Sequence, residues 1–225
     1  MVPILFEDDN IIAANKPENL ASIPTRVKGE DTILAQLTAQ YGHKIFVVHR
    51  LDKEVCGAML FAKNVITHKR LNDQFFNREI KKTYWLAAHG VIKNDKGTIN
   101  QPIREFGSGR MGIDLLKGKE STTSFEVLER GEKFSLVKAA PLTGRRHQIR
   151  VHFYSIGHSI VGDVRYGDKV LQKTFPRLML HAVSITFALA SGELKTVEAP
   201  LPESITRWCS AIGFSAASSA SPYRP

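Results

Sequence analysis

Short apolar runs separated by turn residues dominate the chain, and this pattern is typical of a protein built mostly from β-strands. The runs are rich in β-branched and aromatic residues, or alternate apolar and polar positions, as strands do. The predicted strands begin at Ile4, Ile11, Ile45, Ala58, Lys82, Ser121, Phe134 and Leu180. Helices should therefore be the minority element.

Three segments have a helical spacing of apolar residues instead. The first begins at a capping residue, Asp31 or Thr32, places Ile33 and Leu37 on one face, and ends at Gly42. The predicted helices span residues 31–42, 67–80 and 145–157.

The second and third predicted helices differ in character. The second has an apolar stripe, which is formed by Leu71, Phe75 or Phe76, and Ile80. The third is unusually basic, because it carries Arg146 and Arg150 four positions apart. Its apolar side is formed by Ile149, Phe153 and Ile156.

Strand runs broken by isolated helices predict an α+β fold with a largely antiparallel sheet. The 225 residues are enough for one large domain or two small lobes, and length alone does not choose between them. We predict one domain over residues 1–214. Residues 215–225 are small and polar, and we expect a disordered tail there.

The charge of the chain favours a polyanionic partner or an anionic membrane surface. Its 31 Lys and Arg outnumber 22 Asp and Glu, which gives a net charge of +9. No stretch approaches eighteen uninterrupted apolar residues, and no signal peptide is recognisable, so we expect neither export nor a membrane span. Cys56 and Cys209 have no metal-site spacing, and we expect reduced thiols in a cytoplasmic protein.

The stretch VVHRLDKEVCG, residues 47–57, carries the most suggestive chemistry. An apolar run ends there in an imidazole, a guanidinium and a carboxylate. A carboxylate held ionised beside guanidinium groups can act as a nucleophile or a general base, and Asp52 has this potential. The basic segment TGRRHQIRVH, residues 143–152, is its predicted source of guanidinium groups. From these residues alone, a structural Arg–Asp pair remains an equal alternative.

Three ordered motifs resemble those of the RluA-type pseudouridine synthases. HRLDKEVCGAMLFAKN resembles the family's catalytic motif, KKTYWLAAHG its Lys/Tyr motif, and PLTGRRHQIRVHFYSIGHSIVGDVRYG its third motif. The opening ILFEDDNIIAANKPENL and the late PRLMLHA also match, so the resemblance extends from about Ile4 to Pro202. It implies an enzyme that isomerises uridine to pseudouridine in RNA without a cofactor. The implied fold has a central, mainly antiparallel mixed sheet flanked by helices, with a catalytic cleft.

The resemblance also implies roles for three residues. Asp52 would be the catalytic carboxylate, Tyr84 would stack on the target uracil, and Arg150 would hold Asp52 ionised. Whether Asp52 attacks the sugar or removes a proton is left open. Without the motif, Tyr84 would be interpreted as a core residue of a strand.

A further set of residues is predicted to bind the substrate. Arg50 would insert into the RNA where the target base is extruded. His49 would be structural or face the RNA, and Ile149 would pack beside the site. The predicted substrate-binding residues are Arg50, His49, Lys82, Arg145, Arg146 and Ile149. Lys82, Arg145 and Arg146 are candidates for phosphate contacts, as is Lys81.

The sequence departs from the family motifs at three positions. Val55 and Cys56 replace the small hydroxyl residues that usually follow HRLD, and Arg146 stands where the family has Thr or Ser. None of these changes removes a catalytic group. They bear on how the loop carrying Asp52 is held and on which RNA fits.

Three alternatives come from other functional classes. One is a catalytically silent RNA-binding protein on the same fold, and another is an RNA-folding helper with a secondary modifying activity. A glycoside hydrolase would need a second carboxylate, for which Glu54 or Asp163 are the candidates. The histidines lack ligand spacing, so no metal site is predicted. The family often carries an N-terminal S4 domain, which we do not expect before Ile4. We expect a monomer that acts on a stem-loop of tRNA or rRNA.

Overall fold

The computed structural model describes residues 1–24 and 29–215, and the chain forms two compact units. The first unit comprises residues 1–82 and 182–199, and the second comprises residues 83–181 and the segment that follows residue 199. Ser215 is described, whereas the rest of the predicted tail lies outside the described residues.

The strands of the first unit form an ordered array. β1, β2, β4 and β11 are neighbours in that order, β12 pairs with β11, and the short β3 pairs with β4. The pairs β1–β2, β2–β4, β3–β4 and β11–β12 are antiparallel. The strands are β1 Ile4–Glu7, β2 Ile11–Lys16, β3 Phe46–Val47, β4 Cys56–Ala62, β11 Leu180–Ala188 and β12 Leu194–Glu198.

β4 is the buried centre of this unit. All seven of its residues are buried, and β2 beside it is almost as deeply buried. Continuous apolar strands of this kind are covered on both faces. On one face, a cluster joins Leu60 of β4 to Ile11, Ile185 and Phe187, and Leu71 of a helix packs into it.

Gly57 shows why the start of β4 requires glycine. Its φ is +117°, which L side chains rarely adopt, and a Cβ at this position would overlap the backbone carbonyl of Ala182. The strand that follows the Asp52 loop therefore makes a close backbone approach that any side chain would prevent.

The two helices of the first unit are α1 Ile33–Tyr41 and α2 Val65–Phe76. α1 agrees with the prediction, because the Thr32 side chain accepts a hydrogen bond from the Ala35 N–H and Gly42 ends the helix in the left-handed conformation.

The predicted bounds of the second helix were wrong. Asn64 caps α2, which begins at Val65, two residues before the predicted start, and ends at Phe76. Ile80 is buried but lies beyond the helix. Phe75 is the half-buried member of its pair, whereas Phe76 is 87% exposed.

The second unit contains its own antiparallel array. Its order is β5, β10, β9, β6, and β7 and β8 form a separate hairpin. The strands are β5 Lys81–His89, β6 Lys96–Asn100, β7 Ile103–Glu105, β8 Met111–Ile113, β9 Thr122–Arg130 and β10 Phe134–Pro141. The sequence pattern had predicted β5, β9 and β10 and missed the three short strands.

The helices of the second unit are α3 Gln148–Ser155, α4 Lys169–Gln172 and α5 Glu203–Ala211. α3 packs on the sheet, and its Phe153 ring lies 5.7 Å from that of Phe125 on β9. The predicted start of this helix at Arg145 was wrong, because Arg145 and Arg146 precede Gln148 and His147 has a left-handed backbone, with φ 54°.

These elements confirm an α+β fold whose strand pairs are mainly antiparallel and whose helices pack beside the sheet. Cys56 and Cys209 are both buried free thiols, as expected. Burial raises the pKa of Cys209 to about 12. Among the residues that the structure describes, no helix has the length and apolar character needed to cross a bilayer.

Candidate active site

Asp52 lies in the loop that connects β3 to β4 in the first unit. Its neighbour Leu51 is buried, whereas Asp52 is half-buried and Lys53 is exposed. The Val55 N–H donates to the Asp52 carbonyl at 3.1 Å, which closes a turn before β4 begins. The carboxylate is therefore presented from a short turn between two paired strands.

Two side chains anchor the backbone on either side of Asp52. The Ser22 hydroxyl donates to the Leu51 carbonyl at 2.6 Å and accepts from the Leu51 N–H at 3.1 Å. On the other side, the Lys16 ammonium donates to the Lys53 carbonyl at 3.1 Å. The residues before and after Asp52 are thus both fixed.

Lys16 is an unusual anchor, since its side chain is fully buried at the end of β2. Besides Lys53, its ammonium donates to the carbonyls of Pro17 at 2.8 Å and Leu20 at 2.7 Å. A buried ammonium is tolerated only when hydrogen bonds replace its lost water. The three carbonyls do so, and they tie β2 to the Asp52 loop.

His49 and Lys82 belong to the same unit, and the charge on Lys82 acts on His49. His49 Nε2 accepts a hydrogen bond from the Leu60 N–H at 2.9 Å, and its ring packs 4.9 Å from that of Phe75. Burial, with a contribution from the charge on Lys82, lowers the pKa of His49 to about 3. Burial likewise lowers the pKa of Lys82 to about 8. His49 is therefore neutral at physiological pH, while Lys82 titrates just above it.

Tyr84 lies on β5 in the second unit, where it is half-buried and opposite Ala139 of β10. The adjacent Trp85 is 2% exposed and belongs to the core. Alternation along the strand therefore separates the two rings, and Tyr84 is the one that solvent reaches.

The loop before α3 carries the other predicted basic residues. The side chain of Gln148 accepts from the Thr143 hydroxyl at 2.7 Å and from the Arg145 N–H at 3.0 Å, and it donates to the carbonyl of Thr122 on β9 at 3.0 Å. This fixes the loop on the sheet. Arg145 itself is exposed.

Arg146 and Ile149 are placed differently from Arg145. Arg146 makes an ion pair with Glu105 of β7 at 2.9 Å. Ile149 is 6% exposed and lies in the core-facing part of α3. In the first unit, by contrast, Arg50 is exposed.

Arg150 is buried in α3 and pairs with Asp163. Its Nε donates to Asp163 Oδ2 at 2.8 Å and its Nη2 donates to Oδ1 at 2.9 Å. The two side chains are 2% and 0% exposed. The predicted pairing of Arg150 with Asp52, which belongs to the first unit, stays a prediction.

Asp163 is thereby removed as a candidate second acid of a glycoside hydrolase. Its carboxylate is buried in this ion pair and also accepts from the N–H groups of Arg165 and Tyr166. A general acid must reach the leaving group, which this carboxylate cannot do from such a position.

The histidines of the second unit have structural contacts. His147 Nδ1 lies 2.7 Å from the Tyr166 hydroxyl, and the buried His152 lies within hydrogen-bond distance of Thr123 and Gln101. Over residues 1–24 and 29–215, no three His, Cys, Asp or Glu side chains come together in a group that could hold a metal ion.

Sequence reasoning missed several residues that hold the candidate site. Lys16 and Gln148 lie within stretches that resemble the family's sequence, but neither was predicted to hold the site, and Ser22 lies outside these stretches. The run IIAANK, followed by Pro17, contained the only hint, because a lysine directly after a buried strand is well placed to fold back.

Comparison with known proteins gives a consistent result. Residues 10–155 match the family described as RNA pseudouridylate synthase. The dual-specificity RNA pseudouridine synthase RluA of Vibrio cholerae serotype O1 is 38% identical over 189 residues, which cover 83% of this chain and 77% of that protein.

Two further relatives extend the similarity to nearly the whole chain. An uncharacterized RNA pseudouridine synthase of Zymomonas mobilis is 35% identical over 209 residues, or 90% of this chain and 95% of that protein. The solved structure of human RNA Pseudouridylate Synthase Domain Containing 4 superposes with a TM-score of 0.77 and 25% identity, and it covers 93% of this chain and 92% of that one.

Proposed function

Because the chain belongs to the RNA pseudouridylate synthase family and isomerises uridine to pseudouridine in RNA, we propose that Asp52, Tyr84 and Arg150 carry out this reaction. The substrate is proposed to be a stem-loop of tRNA or rRNA, bound by a cytoplasmic monomer. The observation that carries the proposal is the anchoring of both neighbours of Asp52, by Ser22 and Lys16.

The chemistry of the isomerisation explains why a fixed carboxylate is needed. The bond between uracil N1 and C1′ of the ribose breaks, the detached base turns, and a new bond joins its C5 to C1′. The proton of C5 is released, and N1 takes up a proton. Positive character develops on the sugar while the bond breaks, and an oriented anion can attack the sugar or remove a proton from it. We assign this role to Asp52.

Tyr84 is proposed to hold the base while it turns. Its ring is half-buried on a strand, so it has a fixed orientation and an accessible face. Stacking between a base and an aromatic ring contributes about 1–3 kcal/mol. A flat contact of this kind also permits rotation of the base in its plane.

The proposed RNA-binding residues divide by exposure. Arg50 and Arg145 are exposed and are proposed to reach the backbone or the space left by the extruded base. Lys82 and Arg146 are partly buried and would contact RNA closer to the reacting nucleotide. His49 and Ile149 are proposed to shape the site by packing. No cofactor has a role in this scheme.

The test is tritium release from RNA labelled at uracil C5, with total tRNA and rRNA supplied separately. Wild type should release tritium from at least one pool, and each active pool identifies a class of substrate. Asp52→Asn should reduce the rate about 10³-fold or more, since it removes the anion and keeps the size of the side chain.

Glu54→Gln is the matched control. It removes the same charge from the same loop at an exposed position two residues away. Its rate should remain near that of wild type. A wild-type rate in Asp52→Asn, or an equal loss in Glu54→Gln, would contradict the assignment of Asp52.

A further inference from the structure

The carboxylate of Asp163 is more completely fixed than a simple ion pair requires. Oδ2 accepts from Arg150 Nε, while Oδ1 accepts from Arg150 Nη2 and from the N–H groups of Arg165 at 3.0 Å and Tyr166 at 3.2 Å. The turn that follows closes on the same residue, because the Gly167 N–H donates to the Asp163 carbonyl at 2.9 Å. The position and the plane of the carboxylate are both determined.

This fixed carboxylate determines the plane and direction of the Arg150 guanidinium. The group is planar, and Asp163 engages its Nε edge in a two-pronged contact. The remaining N–H groups, on Nη1 and the outer side of Nη2, consequently point away from Asp163. A lysine in place of Arg150 would have no such defined direction.

Tyr166 restricts the guanidinium on one face. The Arg150 group lies 5.4 Å from the centre of the Tyr166 ring, and Tyr166 is 1% exposed. The Tyr166 hydroxyl lies 2.7 Å from His147 Nδ1 and accepts from the Met111 N–H at 3.3 Å. The ring that supports the guanidinium is therefore itself held at its far end.

The segment that carries Asp163 is joined to the strand that carries Tyr84. The Val161 N–H donates to the carbonyl of Ala87 on β5 at 2.9 Å, and the Met179 N–H donates to the Val161 carbonyl at 2.8 Å. Asp163 follows Val161 by two residues, and Tyr84 precedes Ala87 by three. One hydrogen-bonded framework thus supports both residues.

We infer that Asp163 is a positioning residue for the isomerisation, which acts by holding the Arg150 guanidinium in the orientation that the reaction needs. This inference rests on the role proposed for Arg150. Asp163 does not touch the substrate in this scheme, and its effect on the rate is transmitted through Arg150 alone.

The experiment measures the single-turnover rate of tritium release at saturating RNA for folded Asp163→Asn. Asparagine preserves the size of the side chain but presents an N–H₂ group or a single oxygen to Arg150, so the two-pronged contact is lost. We expect the rate to fall about 10–100-fold, as small misplacements of reacting groups do. The Kd for RNA should change by less than about twofold, because the binding surface is unaltered.

Asp168→Asn is the matched control in the same segment. Asp168 is exposed and caps α4 through the N–H groups of Val170 and Leu171. Asparagine is an equally good cap, so this variant should retain the wild-type rate. It shows whether a charge change near Asp163 is sufficient to slow the reaction.

A double-variant cycle with Arg150→Lys tests the route of the effect. If Asp163 acts only through Arg150, adding Asp163→Asn to Arg150→Lys should slow the reaction no further. The NMR resonance of the Arg150 Nε–H provides a readout that does not depend on the reaction. Its chemical shift should change in Asp163→Asn. If Asp163→Asn does not fold, Asp163→Glu keeps the charge but displaces the carboxylate, and the same fall in rate is expected.

The outcomes distinguish the positioning role of Asp163 from the catalytic role proposed for Asp52. A wild-type rate in folded Asp163→Asn or Asp163→Glu overturns the positioning role, as does a multiplicative loss in the double variant. Loss of stability with an unchanged rate per folded molecule identifies a merely structural pair, which also overturns it. Retained activity of Asp52→Asn contradicts the proposed function and has no bearing on the Asp163 cycle.

Discussion

His49 illustrates how burial determines the charge of a residue three positions from the candidate catalytic carboxylate, Asp52. Its Nε2 accepts a hydrogen bond from the Leu60 N–H, which only the neutral ring can do. Burial and the charge on Lys82 lower its pKa to about 3. The imidazole next to Arg50 is thus a fixed, uncharged structural group.

Acid should therefore destabilise the protein through His49. The pKa is 6.5 in the unfolded chain and about 3 in the folded one, so the unfolded state binds more protons between these values. Stability is fully present above pH 6.5 and declines as the pH falls towards 3. At pH 5 the loss is about 2 kcal/mol, from 1.36 kcal/mol for each pKa unit.

Urea unfolding at pH 7.5 and pH 5.0 measures this loss, with His49→Gln as the control. Glutamine does not titrate and offers an oxygen to the Leu60 N–H, so its stability should vary less over this range. Equal losses in both proteins would contradict the role of His49.

At the scale of elements, the loop between β3 and β4 depends on residues that are distant in sequence. Lys16 is 37 positions from Lys53, and Ser22 is 29 positions from Leu51. The fully buried ammonium of Lys16 holds three backbone carbonyls at once. The loop is therefore part of the folded core of its unit.

Lys16→Met should lower the free energy of unfolding by about 3 kcal/mol. The substitution fills the space but leaves three carbonyls without their donor, and an unmet buried polar group is costly. Urea denaturation measures the change. Lys69→Met, at an exposed position on α2, is the control and should stay within about 0.5 kcal/mol of wild type. A loss below 1 kcal/mol in Lys16→Met would show that the ammonium is not a structural anchor.

Local signals predicted some elements well and others poorly. Thr32 and Gly42 define α1 because capping depends on neighbouring residues alone. The start of α3 is set by bonds from Gln148 to Thr122 and Thr123, 26 and 25 positions away, which no local pattern contains. β6 was missed because Ile99 is its only buried residue.

The candidate site shows the same division between residues that local sequence signals indicate and residues that only the fold brings into place. The motifs nominated Asp52, Tyr84 and Arg150, since their residue types and spacing are distinctive, and these three assignments stay predictions. The supports were hidden: Lys16 belongs to a residue class that is almost never buried. Asp163 was considered only as a second catalytic acid, because its pairing with Arg150 emerges only from the fold.

At the scale of the whole molecule, the net charge of +9 suits a polyanionic substrate. Several basic side chains are occupied in ion pairs, including Arg146 with Glu105 and Arg130 with Asp95. The total charge therefore overstates the number of phosphate contacts. Exposed residues such as Arg50 and Arg145 are better candidates for phosphate contacts than the basic residues in ion pairs.

RNA affinity should consequently decline steeply as the salt concentration rises. The slope of log K against log salt should be about −0.7 to −0.9 for each phosphate that the protein neutralises. Arg50→Gln and Arg145→Gln should each reduce the slope of log K against log salt by about one. Fluorescence anisotropy over a salt series measures it. Arg207→Gln is the control, since Arg207 pairs with Glu203 on α5 and should leave the slope unchanged. A flat response in wild type would remove the phosphate contacts from the proposal.

The burial of Lys16 has a practical consequence for observing the enzyme at work. An amine-selective reagent reacts only with a lysine that water can reach, and the Lys16 ammonium has no exposed surface. The Lys16 amine can therefore react only after the segment around Asp52 has separated from β2. The labelling rate of Lys16 therefore reports how often the loop that carries Asp52 opens locally. Mass spectrometry can measure this rate in the intact, active protein.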